Sequence, residues 1–357
     1  MAILSHKSDS TQSELEHNEC PRGHGTDVDN LQSLGYKEEL RRNRSMFTLL
    51  FQSLAVAAIP YGFGSTLISA IYGGGQLAMF LGWVVVCILD ECIAISLGEL
   101  AAKYPTSAGP YYWSHQIADP RYKTILSFIT GWTWLIGNWT ITLSVNFGFA
   151  SLLAATVNIY EPNYEFSALG MITSMAEECG DVTIKLPRAL SLAVPVGFVA
   201  GLFFIIPLCA TLPDLADVLN APLGQAIPYV FLRVLGSPGS AIALTTLILV
   251  ITVFCSISIT VAASRTTWAF ARDNAIPGAR LWSKVNEKHD TPIWALTLTT
   301  LVQMLLSLIY LGSSSAFNAF VSVGVVALAV SYGIPIALSM STGRAAVNTA
   351  PWTFGKK

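Results

Sequence analysis

The sequence predicts an all-α integral membrane protein, and three observations carry that fold class. Ser45–Leu89, Thr124–Tyr160, Ala189–Pro213, Val234–Ser264 and Thr291–Gly343 contain no Asp, Glu, Lys or Arg. Each exceeds the roughly 20 apolar residues that a helix needs to cross about 30 Å of hydrocarbon. Charged residues make up 12% of the chain, against about 25% in soluble domains. The apolar runs are also long and continuous. A membrane barrel would show weak alternation over about ten residues per strand.

In chain order, residues 1–44 are rich in Ser, Glu, His and Asp and read as a mobile cytoplasmic tail. No apolar signal core lies within them. A transmembrane domain follows over 45–340, with spans expected near 47–70, 76–98, 124–156, 189–212, 238–264, 292–311 and 316–340. Gly73-Gly74-Gly75-Gln76 and Gly312-Ser313-Ser314-Ser315 divide the two longest tracts and suit tight turns between spans. Residues 341–357 form a cytoplasmic stub, and Tyr111-Tyr112-Trp113 suits a helix at the membrane interface.

Lys and Arg set the orientation, because cytoplasmic loops are enriched in them. With the N-terminus inside, Arg41, Arg42, Arg44, Lys103, Arg121, Lys123, Arg272, Arg280, Lys284, Lys288 and Arg344 all fall on the cytoplasmic side. Lys185 and Arg188 break the alternation. The third span should end outside near Val157, yet these two residues belong inside. Between them the only apolar core is Phe166–Ala176, and eleven helical residues cover roughly 16 Å, about half the thickness required. Either a half-helix crosses there against protein, or spans are missing; the second is favoured.

Composition excludes several function classes. A net charge of −2 implies no nucleic-acid partner. No Walker loop, Gly-x-Ser-x-Gly motif or zinc-ligand set appears, and the five histidines are scattered through polar segments. The expectation is therefore no enzyme, no catalytic residue, no cofactor and no metal. Cys87, Cys92, Cys209 and Cys255 lie in apolar runs, where a thiol packs as a small hydrophobe.

Four segments in order resemble the fungal amino acid/choline transporter family, of the amino acid–polyamine–organocation superfamily. They are Leu34-Gly35-Tyr36-Lys37-Glu38-Glu39-Leu40-Arg41-Arg42, the stretch from Ser96 to Trp113, Met175-Ala176-Glu177-Glu178 with Leu186-Pro187-Arg188-Ala189, and Ala271-Arg272-Asp273-Asn274-Ala275-Ile276-Pro277. The resemblance implies a five-plus-five inverted-repeat secondary transporter bundle, present here in part as about seven full spans plus one partial. On that register the spans correspond to family spans one to three and seven to ten. Spans four, five and the first half of six are then absent between Val157 and Phe166, and the chain stops before spans eleven and twelve. Loss of an odd number of crossings accounts for the inverted side of Lys185 and Arg188.

The implied function is alternating-access transport of amino acids or related amines such as γ-aminobutyrate and choline, with protons as the coupling ion, in the plasma membrane or alternatively the vacuolar membrane. A non-transporting, internally deleted isoform or remnant is the competing reading. Such transporters bind solute near the bilayer midplane, where helices break and bare N–H groups meet a carboxylate. Pro60-Tyr61-Gly62-Phe63-Gly64-Ser65-Thr66 lies midway along the first span. Pro60 lacks an N–H, and each glycine costs a helix about 1 kcal/mol. Gly62, Phe63, Gly64, Ser65 and Thr66 are the candidate substrate residues; close helix packing by the glycines is the alternative.

By the resemblance, Gly170 and Thr173 belong to the remnant of a second broken span. Asn138 in span three is either a lining residue or an interhelical hydrogen bonder. Ser256, Ser258 and Thr260 either line a pathway or bond their own helix. Asp90 and Glu91 inside span two are either a proton carrier or a neutral, interface-facing pair. Glu99, Glu177 and Glu178 suit salt bridging at the cytoplasmic loops.

Overall fold

The computed structural model describes residues 45–159, 182–213, 218, 225–286, 291–312, 314–345 and 347–350. The tail, the 160–181 segment with Gly170 and Thr173, and the last residues lie outside that description. Seven helical segments among the described residues are long and apolar enough to cross a membrane, and the protein is an integral, multi-pass membrane protein.

The first segment is two helices. The α1 helix (Met46–Ala57) opens on Ser45, whose hydroxyl accepts the Thr48 N–H at 3.3 Å and so satisfies one orphan donor of the first turn. It closes at Ala58, which is left-handed at φ 37°. The α2 helix (Ile59–Tyr72) restarts at once, with Pro60 in its first turn. Proline is tolerated there because that N–H would have no helical partner in any case. The sequence places the interruption at residues 60–66, whereas the chain breaks at Ala58. Proline disrupts the hydrogen bond and the backbone on its N-terminal side, so Gly62 and Gly64 end up inside the restarted helix.

Gly74 (φ 133°) and Gly75 (φ 72°) make the turn expected after the first span. The α3 helix (Gly75–Lys103) follows, then a short α4 (Pro110–Ile117), α5 (Lys123–Val157) and α6 (Val182–Thr211). Next come α7 (Ala226–Leu235), α8 (Pro238–Arg272), a single turn α9 (Ala279–Trp282), α10 (Ile293–Gly312) and α11 (Ser314–Ser341). The spans mostly outrun the expected apolar cores, because charged and polar residues continue the helices past hydrocarbon. The α8 helix runs to Arg272, beyond the expected end at 264, and α6 starts at Val182 instead of 189. The α7 helix has no counterpart in the sequence reading: at ten residues it is too short to span.

The α5 helix is the hub, packing on α4, α8 and α11, while α3 packs on α6 and α6 on α1. Small residues permit these approaches. A side chain at Gly137 would meet Leu328, and one at Gly324 would meet Thr140, so α5 and α11 close on each other's glycines. The main apolar core joins Ala58, Tyr61 and Leu67 to Ile205, Ile227, Ile248 and Cys255. The broken first span thus sits in the core, where its irregular backbone is sheltered from lipid.

Many hydroxyls inside the spans bond back to their own helix. Thr245 donates to the Ala241 carbonyl and Thr252 to that of Ile248, both at 2.8 Å. Thr260 does the same, donating to the Ser256 carbonyl at 2.7 Å, so of its two sequence readings the structure has the own-helix bond.

Candidate functional site

The break determines which polar groups are available. At its N-terminal side the Ala58 N–H donates to the Leu54 carbonyl at 3.0 Å. At its C-terminal side both the Tyr61 and Gly62 N–H groups donate to the Ala58 carbonyl at 2.9 Å. Pro60 has no N–H, and Ile59, as the first residue of α2, has no preceding turn of that helix to donate to. The bare-amide surface therefore centres on Ile59 rather than on Gly62 and Gly64.

The five candidates from the first span divide by position. Gly62 is half-buried, and its carbonyl accepts the Ser65 hydroxyl at 3.1 Å and the Thr66 hydroxyl at 2.9 Å. Both hydroxyl protons are thus spent on the helix, leaving their oxygens as acceptors. Gly64 is buried; a methyl there would lie 2.6 Å from Ile227 Cγ1, so its smallness seats α7 against α2. Phe63 stacks edge-on against Trp83 of α3 with centroids 4.8 Å apart. Asn138 is buried, and its amide donates to the Trp134 carbonyl one turn back at 2.8 Å.

Around the break the structure brings Ser256, a lining candidate from the sequence, together with Asn146 and Gln303, which the sequence reading did not single out. The buried Tyr61 ring aims its hydroxyl at Gly148 of α5, where a side chain would collide with it. The Cys255 thiol of α8 donates to the Val56 carbonyl of α1 at 3.2 Å. Its neighbour Ser256 donates to Asn146 Oδ1 of α5, and Asn146 Nδ2 donates to Gln303 Oε1 of α10 at 3.1 Å. Gln303 is 7% exposed, and its Nε2 has no partner among the described residues. The available sequence signal was an amide in the middle of a charge-free run; only tertiary contact pairs Asn146 with Gln303.

A second polar cluster gathers where α3, α8 and α11 end. Glu99 pairs with Arg344, and Lys103 Nζ donates to Thr349 at 2.6 Å. Tyr111 donates to Asp273 Oδ2 at 2.6 Å, and Trp113 Nε1 to the Tyr104 carbonyl at 3.0 Å. These contacts bury Tyr111, Tyr112 and Trp113 within α4, so the three rings pack into protein. Burial pushes the Tyr104 phenol up; burial, with smaller contributions from Tyr104 and Asp273, does the same to Tyr112. His115 on α4 is held below the usual imidazole range, first by burial and then by nearby Lys123. Elsewhere, the acidic pair of α3 sits at mid-helix: Asp90 is exposed, while Glu91 is half-buried with its Oε2 unpartnered among the described residues.

Two family profiles, each described as amino acid permease, match consecutive parts of the sequence, one over residues 49–165 and the other over 164–345. The second alone covers more than half of the 357 residues. The chain belongs to the amino acid permease family. Among its relatives, "Amino-acid permease BAT1" of Arabidopsis thaliana is 26% identical over 430 positions, covering 91% of this chain and 83% of that protein. The "Choline transporter" of Saccharomyces cerevisiae is 25% identical, covering 89% of this chain and 72% of its own length. A "Putative polyamine transporter" of Candida albicans is 24% identical, with 91% and 76% covered.

An alignment of 430 positions is longer than this permease chain of 357 residues. The Arabidopsis protein therefore has internal residues to which nothing here corresponds. The two family matches change over at residues 164–165, inside the stretch where the alternation of Lys and Arg breaks down.

Proposed function

We propose that this chain is a carrier, not an enzyme, which moves amino acids or related amines such as γ-aminobutyrate and choline across a bilayer. The mode is alternating access driven by a proton gradient, in a partial five-plus-five inverted-repeat bundle of the fungal amino acid/choline type. The observation that carries the reading is the break at Ala58. It sits in the apolar core, leaves the Ile59 amide at the first position of a restarted helix, and is braced by Cys255 of α8 and by the contact of its own Tyr61 ring with Gly148 of α5. Unwound backbone of this kind is tolerated at membrane depth only where protein or a water-filled path surrounds it. Placement of the N-terminus in the cytoplasm rests on the Lys and Arg distribution, and the plasma membrane is the proposed location. Uptake of labelled alanine, γ-aminobutyrate and choline into cells expressing this chain tests the proposal. Saturable, gradient-dependent flux of at least one is expected; absence of flux for all three overturns it.

A second reading is favoured by the excess length of the relatives' alignment and the changeover at residues 164–165. On it, the chain is a non-transporting form of a longer permease that lacks part of the repeat. Sequencing the transcript across codons 155–170 separates the two. Coding sequence dropped at a splice junction there supports the second reading, and an uninterrupted transcript removes it.

A further inference from the structure

We propose that Asn146, Ser256 and Gln303 form a hydrogen-bonding subsite for the carboxylate of a solute, which Gln303 engages through its free Nε2 amide. The inference rests on the transport reading above and assigns part of the substrate's chemistry to a place in the fold.

The three side chains form a relay with a direction. Ser256 donates to Asn146 Oδ1, Asn146 Nδ2 donates to Gln303 Oε1, and the relay ends on Gln303 Nε2. Each named acceptor oxygen has one bond, and the atom of the relay left with none is the Gln303 Nε2 donor. Gln303 is 7% exposed and lies in the middle of α10, and its Nε2 meets no protein acceptor among the described residues. A buried amide donor without a partner is costly, so such groups mark places where a ligand or an ordered water completes the bonding.

Surroundings decide which ligand fits. No Asp, Glu, Lys or Arg occurs in residues 124–160, 234–264 or 291–343, which supply all three members. A neutral, donor-rich end in a poorly solvated region favours an oxygen anion over a cation. The relay also abuts the break. Ser256 follows Cys255, which holds the Val56 carbonyl, and Asn146 lies two residues from Gly148, which receives the Tyr61 hydroxyl. Two of the relay's three helices, α5 and α8, thus also contact the broken first span. A quaternary ammonium alcohol has no carboxylate to offer the relay, whereas an amino acid has one. The relay thus discriminates between two solute classes that the relatives' names divide.

The test uses the full chain, purified and reconstituted in phosphatidylcholine vesicles, with labelled alanine, γ-aminobutyrate and choline as probes. Gln303→Leu removes the donor, and the near-isosteric Gln303→Glu replaces it with a group that repels or competes with a carboxylate. Both variants are expected to lose tenfold or more in apparent affinity for alanine and γ-aminobutyrate and to lose no more than twofold for choline, with Gln303→Leu, which also takes the acceptor from Asn146 Nδ2, melting somewhat below the native chain. Unchanged affinity for the two amino acids identifies Nε2 as a water-bonded structural amide and overturns the subsite. A parallel loss for choline also overturns it. If Gln303→Leu does not fold, Gln303→Glu alone decides on the same criteria. Failure of the native chain to bind or transport any of the three overturns the transport reading instead.

Discussion

The Cys255 thiol of α8 donates to the Val56 carbonyl at 3.2 Å, two residues before the chain turns left-handed at Ala58. One of the carbonyls released where α1 stops is thereby satisfied from another span. Replacing Cys255 by Val keeps the bulk and removes the donor, leaving a buried carbonyl unpaired. A loss of about 1–2 kcal/mol is expected, read as a lower melting temperature in detergent, while Cys255→Ser stays near native. Equal melting of the Val variant and the native chain would show that the bond contributes nothing.

Gly148 and Tyr61 should be coupled. A methyl at Gly148 occupies the place of the Tyr61 hydroxyl, so Gly148→Ala forces the ring or the helix to shift. Overpacking of this kind costs about 1–3 kcal/mol. Pairing it with Tyr61→Leu, which removes the ring, should make the double variant more stable than the sum of the single losses. Additive losses in that cycle would show that the two residues do not share the space.

The Glu99–Arg344 pair is asymmetric. The Glu99 side chain is 4% exposed and that of Arg344 is 52% exposed. Arg344→Ala takes the guanidinium away from a buried carboxylate, whereas Glu99→Gln removes the buried charge itself. The Arg344 variant is therefore expected to lose more stability, by about 1 kcal/mol or more, even after discounting for the solvent around the arginine. Thermal melting of both variants checks the order, and the reverse order would contradict it.

His115 should make stability fall toward acid pH. Its folded-state pKa lies below the usual imidazole value because burial, and then Lys123, disfavour the charged form. With the folded pKa depressed, the unfolded chain takes up the proton first. The contribution is complete above about pH 6.5 and declines as pH falls below that value. His115→Gln should flatten this part of the melting profile between about pH 7 and 5. A profile that the substitution leaves unchanged would remove His115 as its source.

The spans were legible because hydrocarbon imposes a length and excludes charge, and both are written locally. The turn at Gly73–Gly75 could be placed for the same reason, since glycine conformation is a local property. The break was legible in kind but displaced in position. Pro60 and the glycines announce a weak point, yet a proline acts on the turn before it, so the interruption lies at Ala58. Gly64 and Asn138 have two readings each in one dimension. Only the arrival of Ile227 shows what Gly64 touches, whereas Asn138 donates to the Trp134 carbonyl of its own helix, a local contact.

By itself, the sequence determined the membrane environment and the number of apolar crossings among the described residues, because both follow from charge and hydrophobicity counted along the chain. Tertiary structure alone decided which polar groups meet. Asn146, Ser256 and Gln303 lie on three separate spans, and the contact between them is set by how small residues let those helices approach, a quantity that no local window contains.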